Sequence, residues 1–130
     1  MRTLALLALL AASSAFAVSE ADREKAFKAD IAPLLEKTCA NCHDPKKAKN
    51  GKVKSGFNSS SLADVIKGGS DDGVGITWGD ASKSSLYKSV NMALTDPEHE
   101  DAMPQKKSYE KNPPLTKEQV AKIKAFIEAK

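Results

Sequence analysis

Both cysteines of the chain lie within four consecutive positions, and a histidine follows the second one directly, in the stretch Cys39-Ala40-Asn41-Cys42-His43. On a helix, residues three and four positions apart lie on one face, so both thiols and the imidazole would point toward the same object. Each thiol can add to a vinyl group of a porphyrin while the imidazole nitrogen binds its iron. This spacing is the pattern of covalent haem attachment. It predicts one haem bonded to Cys39 and Cys42, with His43 as the proximal iron ligand.

Two other interpretations of the same residues stay open. Cys39 and Cys42 are close enough for a structural or redox-active disulfide, but thioredoxin-like motifs accompany a strand-and-helix pattern that this sequence does not show. A zinc ion would need four ligands, and His99 is the only further cysteine or histidine in the chain. Haem attachment accounts for the spacing most directly.

The N-terminus has the three-part layout of a secretory signal. Arg2 precedes an apolar run over residues 4–12, and the small-residue stretch that follows ends in Ala15-Phe16-Ala17. Such an ending is a typical cleavage site, so residues 1–17 are predicted to be a cleaved signal peptide and residues 18–130 to form the exported, periplasmic domain. No later stretch approaches the roughly 18 apolar residues that a membrane span needs. An uncleaved N-terminal anchor is the alternative.

Length and charge narrow the class of protein further. Removing 17 of the 130 residues leaves 113, which fits one domain of modest size. The signal contains one basic residue and no acidic one, so its removal lowers the net charge from +3 to +2. That balance is too weak for nucleic-acid binding, which favours a strongly basic face. We expect a soluble monomer without a membrane span in its mature form.

The apolar pattern predicts an all-α fold of about four helices joined by long loops. Asp30 can cap the first helix, whose first turn tolerates Pro33 because the N–H that proline lacks would have no intrahelical partner there. This helix is predicted to run into Cys39. A short second helix is predicted over residues 59–67, with Gly68 at its end.

Two more helices are predicted in the second half of the chain. The third is expected to begin at Asp80 or Ser82 and to end before Pro97. The last has the clearest signals, because Thr116 and Gln119 have the spacing of a capping box and the apolar residues after them follow the 3.6-residue period. The long loops leave a thin core, which a bound apolar haem would complete.

The sixth position of a histidine-bound haem iron decides between electron transfer and gas binding or catalysis. Met103, followed by Pro104 in a polar loop, is the leading candidate because its thioether has no evident core to pack into. His99 is an alternative, although it lies between two glutamates as a solvated histidine would. Met92 follows a helical stretch where filling a core gap is its expected role. An open sixth position is the last possibility.

Two further features bear on the haem environment. Trp78 lies in a glycine-rich loop over residues 68–79. It is predicted either to contact the porphyrin or to close this loop over the core. A basic loop follows the attachment motif, and beside an exposed haem edge it would attract an acidic redox partner protein. A solvated surface is the plain alternative for this loop. Its members are Lys46, Lys47, Lys49, Lys52 and Lys54.

The order of these motifs resembles the planctomycete-type branch of monohaem cytochromes c. The resemblance covers nearly all of residues 18–130 and is carried by Ile31-Ala32-Pro33-Leu34-Leu35, Cys39 to His43, Gly68-Gly69, Gly79-Asp80 with Ser85-Leu86-Tyr87, Met103-Pro104 and Leu115 to Gln119. It implies the class I cytochrome c-like fold, in which the N- and C-terminal helices cross beside the haem. It also implies His43 as the proximal and Met103 as the distal ligand.

The expected function is therefore periplasmic electron transfer by one covalent c-type haem, without enzymatic activity of its own. Three alternatives stay open: a five-coordinate haem protein that binds or senses a small gas, a haem subunit of a larger periplasmic redox enzyme, and a redox module without haem. The occupant of the sixth position separates the first alternative from electron transfer.

Overall fold

The computed structural model describes residues 17–130, so most of the predicted signal peptide lies outside the described residues. Every regular element in this range is helical and none is a strand, which confirms the all-α prediction. The α-helices are α1 Glu20–Ala26, α2 Ala32–Thr38, α3 Ala40–His43, α4 Leu62–Lys67, α5 Ser85–Thr95 and α6 Lys117–Glu128. A π-helical turn, Phe27–Ile31, joins α1 to α2. Short 3₁₀ turns cover Lys49–Gly51, Lys54–Gly56, Ala81–Lys83 and Lys106–Ser108.

The first helical segment begins earlier than predicted. Ser19 is its N-cap and accepts the backbone N–H of Asp22 at 3.1 Å, while Asp30 lies inside the π-helical turn and caps nothing. Proline in a helix removes one hydrogen bond and crowds the carbonyl four residues before it. The chain meets this constraint at Pro33 by widening the preceding turn, where Ala32 donates to the carbonyl of Phe27 five residues back. The predicted cap at Asp30 was therefore wrong.

The later helix signals are largely confirmed. The Thr116 hydroxyl accepts the N–H of Gln119 at 3.2 Å, and the Gln119 side chain accepts the N–H of Thr116 at 2.9 Å, so the capping box of α6 is complete. Asp80 caps the Ala81–Lys83 turn, and α5 ends before Pro97, as predicted. The predicted start at Asp80 or Ser82 was wrong, because a separate 3₁₀ turn lies there and α5 begins only at Ser85.

The core lies where α6 packs against α5 and against the π-helical turn. Its buried side chains come from the π-helical turn, from α2, α4, α5 and α6, and from the segments just before α5 and α6: Phe27, Ile31, Leu35, Leu62, Val65, Ile76, Ala81, Leu86, Val90, Leu115, Val120, Ile123 and Ile127. Gly79 fixes the glycine-rich loop to this core, because its N–H donates to the carbonyl of Ile127 at 2.8 Å. Within residues 17–130, none of the helices has the length and hydropathy needed to cross a bilayer.

Candidate cofactor site

The attachment motif forms one helical turn that follows α2 after a slight break. Cys39 still donates to the carbonyl of Leu35 at 2.7 Å, and its own carbonyl accepts the N–H groups of Cys42 at 3.1 Å and His43 at 2.9 Å. The thiols and the imidazole therefore have the positions i, i+3 and i+4 of a helix, which share a face. The local geometry matches the spacing argument made from the sequence.

Two adjoining cavities meet at this turn, and together they form one cleft. Both are lined by Cys39, His43, Ser55 and Met103. They enclose about 510 and 670 Å³ of empty space including their open mouths. A group bound across both cavities would contact His43 and Met103 at once.

The two cavities differ in their remaining walls. The first runs along α5 and is also lined by Phe57, Gly69, Asp72, Ser85, Leu86, Ser89 and Val90. The second runs along the loop after α5 and is also lined by Thr38, Cys42, Lys54, Pro104, Gln105, Lys107, Ser108 and Asn112. Apolar side chains thus concentrate on the α5 side, and basic side chains lie on the other side.

His43 is held in one orientation by Phe57. The imidazole Nδ1 lies 3.2 Å from the Phe57 carbonyl oxygen, and the two rings meet edge to face with centroids 5.2 Å apart. A carbonyl can only accept, so Nδ1 carries the proton and Nε2 of the neutral ring presents its lone pair. Burial lowers the pKa of His43, which favours this neutral form. A neutral imidazole with a free Nε2 lone pair has the form in which histidine binds metals.

The two cysteines are free thiols, and burial raises the pKa of the Cys39 thiol to about 12, with the neighbouring Cys42 adding to the shift. Reactive dithiols in redox proteins instead have lowered pKa values, because the thiolate is their nucleophile. The surroundings of Cys39 therefore do not suit thiol–disulfide exchange. They suit a sulfur that faces an apolar group.

Met103 lines both cavities and is fixed to α5 through its backbone. Its N–H donates to the carbonyl of Ser89 at 3.0 Å, and the preceding Ala102 is fully buried. The polar loop that contains Met103 is therefore anchored beside the cleft. From the sequence alone, Met103 is expected at this site only through the resemblance to monohaem cytochromes and its polar surroundings.

Thr38 and Asn112 line the cleft and were not recognised from the sequence. Thr38 donates to the carbonyl of Pro113 at 3.0 Å, and Asn41 donates to Oδ1 of Asn112 at 3.0 Å. These bonds join the attachment turn to the loop that follows Met103. The pairs are more than 70 positions apart in sequence and belong to no periodic pattern, so no local signal reveals them.

Trp78 and His99 lie outside the residues that line the cleft. Trp78 packs edge to face on Phe126 at 5.3 Å, and the Arg23 guanidinium lies 4.2 Å from its ring centroid. These contacts pack the loop that contains Trp78 against the core. The His99 Nδ1 accepts the N–H of Asp101 at 3.1 Å. Its surroundings are those of a half-exposed surface histidine.

Met92 is half-buried and does not line either cavity. Across residues 17–130, no three side chains of His, Cys, Asp or Glu are grouped so as to hold a metal ion by themselves. Comparison with protein-family models, curated proteins and solved structures finds no match to this chain.

Proposed function

We propose that residues 18–130 form a periplasmic electron-transfer protein with a class I cytochrome c-like fold and one covalent c-type haem. The observation that carries this proposal is the single cleft lined by both cysteines of the attachment motif, by His43 and by Met103. Two sulfurs for covalent attachment, an imidazole with a free Nε2 and a thioether are the complete set of groups that such a haem requires from its protein.

Cys39 and Cys42 would each form a thioether to the porphyrin edge. The bonds would keep the cofactor in place outside the cell, and they would also complete a thin core, since the apolar face of the cleft is otherwise open to water. The raised pKa of Cys39 supports this role over that of a redox-active disulfide.

His43 and Met103 would bind the iron. The haem supplies the one-electron couple of its iron, and a thioether ligand favours the reduced state relative to a second imidazole. The Phe57 carbonyl holds the His43 ring by its Nδ1 proton, and Ser89 holds the backbone at Met103. Both ligands thus have fixed positions, so little of the chain has to move when the electron arrives or leaves.

The α5 side of the cleft would exclude water. Leu86 and Val90 are buried, and they line the first cavity together with the half-buried Phe57. An apolar wall lowers the solvent rearrangement that accompanies a change of charge at the iron.

Redox partner proteins with an acidic surface are the proposed partners. Lys54 and Lys107 are exposed and line the second cavity, whereas Lys47 of the basic loop pairs with Glu36 at 2.8 Å. The exposed ammonium groups of Lys54 and Lys107 at one mouth of the cleft would steer a negatively charged protein surface toward the haem edge.

Absorption spectra of the purified protein in both oxidation states test the proposal. We expect the bands of a six-coordinate haem, a sulfur-to-iron charge-transfer absorption in the oxidised protein and slow binding of carbon monoxide in the reduced one. Rapid carbon monoxide binding by the reduced protein would contradict electron transfer and support the gas-binding alternative. Co-purification with a catalytic partner would instead support a haem subunit of a larger enzyme.

A further inference from the structure

The chain after the attachment motif returns to His43 and contacts it at two points. The Phe57 carbonyl oxygen lies 3.2 Å from the imidazole Nδ1. Two residues later, Ser59 donates to the His43 carbonyl oxygen from its N–H at 2.7 Å and from its hydroxyl at 3.2 Å. Ser59 is buried. The ring and the backbone of His43 therefore both depend on where residues 57–59 lie.

Asn58 lies between these two contacts and is bonded at both ends of its amide. Its Nδ2 donates to Oδ2 of Asp64 at 3.0 Å, and its Oδ1 accepts the N–H of Ser60 at 3.0 Å. The same Asp64 oxygen accepts the hydroxyl of Ser61 at 2.7 Å. Asn58 and Asp64 are both half-buried, so their bond is partly shielded from competing water.

Helix α4 gives this network a fixed base. Ser61 is the N-cap of α4 and accepts the N–H of Asp64 at 3.2 Å. Leu62 and Val65 of the same helix are buried in the core. A continuous path of bonds therefore runs from the core through Asp64 and Asn58 to the Phe57 carbonyl that faces the imidazole.

We propose that Asn58 is a positioning residue for His43. Asp64 holds the Asn58 side chain, and Asn58 in turn fixes the Phe57 carbonyl at the Nδ1 of His43. The inference rests on the proposed function, because it concerns the hydrogen bond behind an iron-bound imidazole. An acceptor at Nδ1–H fixes the ring orientation and raises the basicity of the ligating nitrogen. A more basic ligand stabilises the more highly charged ferric iron. Loss of the Asn58 anchor therefore raises the reduction potential.

Four variants of the haem-loaded protein test this role: Asn58→Ala, Asp64→Ala, Asp64→Asn and Asp80→Ala. In the first two we expect the His43 Nδ1 proton, followed by NMR, to exchange with solvent about tenfold faster, as for the loss of one hydrogen bond. We also expect a higher reduction potential. Asp64→Asn keeps an oxygen for Asn58 and Ser61, so it should restore wild-type behaviour.

Asp80→Ala is the matched control, because Asp80, like Asp64, accepts the hydroxyl of a nearby serine at a short helical turn, but its partners are Ser82 and Lys83 instead of residues near His43. It should change neither the exchange rate nor the potential. Wild-type exchange and potential in Asn58→Ala would overturn the proposal, and so would equal shifts in Asp80→Ala. Asp64→Ala supplies the same test if Asn58→Ala does not fold. Failure of the proposed function is distinguishable, because the wild-type protein would then carry no covalent haem.

Discussion

Asn41, which lies between the two cysteines of the attachment motif, donates from Nδ2 to Oδ1 of Asn112 at 3.0 Å. Asn112 is buried and belongs to the loop that follows Met103. The same Nδ2 lies 3.3 Å from the carbonyl oxygen of Lys111. The turn that would attach the haem and the loop that would supply its distal ligand are therefore joined directly.

Asn112→Ala weakens this link. It removes one of the two acceptors of the Asn41 amide, so we expect a loss of about 0.5–1.5 kcal/mol in the free energy of unfolding, measured by denaturant titration. We also expect the sulfur-to-iron absorption of the oxidised protein to disappear at a lower temperature than in the wild type. Thr95→Ala removes an exposed hydrogen bond at the end of α5 and should leave that temperature unchanged. Wild-type behaviour of Asn112→Ala would contradict the link.

Met103→Ala removes the proposed distal ligand. The sulfur-to-iron absorption should vanish, the reduction potential should fall, and carbon monoxide should bind rapidly to the reduced protein, because the sixth position is then open or filled by a weaker ligand. Met92→Ala and His99→Ala are the controls and should keep the wild-type spectrum. Survival of the absorption in Met103→Ala, or its loss in Met92→Ala, would show that another residue binds the iron.

Gly68 ends α4 in a conformation that only glycine fits. Its φ is +82°, and a Cβ there would lie 2.0 Å from the carbonyl oxygen of Gly73. Gly73 also has a positive φ, of +75°, but a Cβ there would meet nothing within 4 Å. We expect Gly73→Ala to cost about 1–2 kcal/mol of stability from backbone strain alone. Gly68→Ala should cost clearly more, because the Gly73 backbone must also move.

Thermal and denaturant unfolding of the two glycine variants measure this difference. Equal destabilisation by Gly68→Ala and Gly73→Ala would mean that the close approach of Gly68 to the Gly73 backbone does not constrain this segment. Attachment of haem should survive Gly73→Ala in full, since Gly73 is exposed and does not line the cleft.

Replacing both Lys54 and Lys107 by alanine tests the proposed docking of an acidic partner. At low ionic strength we expect the rate of electron exchange with a negatively charged redox protein to fall roughly three- to tenfold, and the difference should shrink as salt screens the charges. The control removes the same charge from the N-terminal helical segment, by alanine at Lys25 of α1 and Lys28 of the π-helical turn. Equal effects of the two double variants would indicate dependence on net charge and no local docking surface.

The parts of the fold that were predictable from sequence are those set by local chemistry. The capping box at Thr116 and Gln119 involves residues three positions apart, and Gly68 and Pro97 mark helix ends through their own backbone preferences. The spacing of Cys39, Cys42 and His43 likewise requires only one helical turn. Each of these signals is read within a few residues.

The remainder depends on contacts between distant parts of the chain. The start of the helical segment that runs from Glu20 into α2 was not predicted, because Pro33 suggested that a helix begins just before it. The structure instead has a π-helical turn before Pro33, inside a helical segment that is already under way. The acceptor behind His43 is a backbone carbonyl, at Phe57, which no residue type can signal. The bond from Asn41 to Asn112 likewise spans two polar segments without periodicity.

The intact mass of the mature protein, produced in a host that attaches haem to exported proteins, is the most direct test of the central claim. We predict that the wild-type mass exceeds that of residues 18–130 by one haem, and that the variant lacking both Cys39 and Cys42 has the mass of the polypeptide alone. A wild-type mass equal to that of the polypeptide, or two hydrogens lower as for a disulfide, would contradict covalent haem attachment and with it the proposed electron transfer.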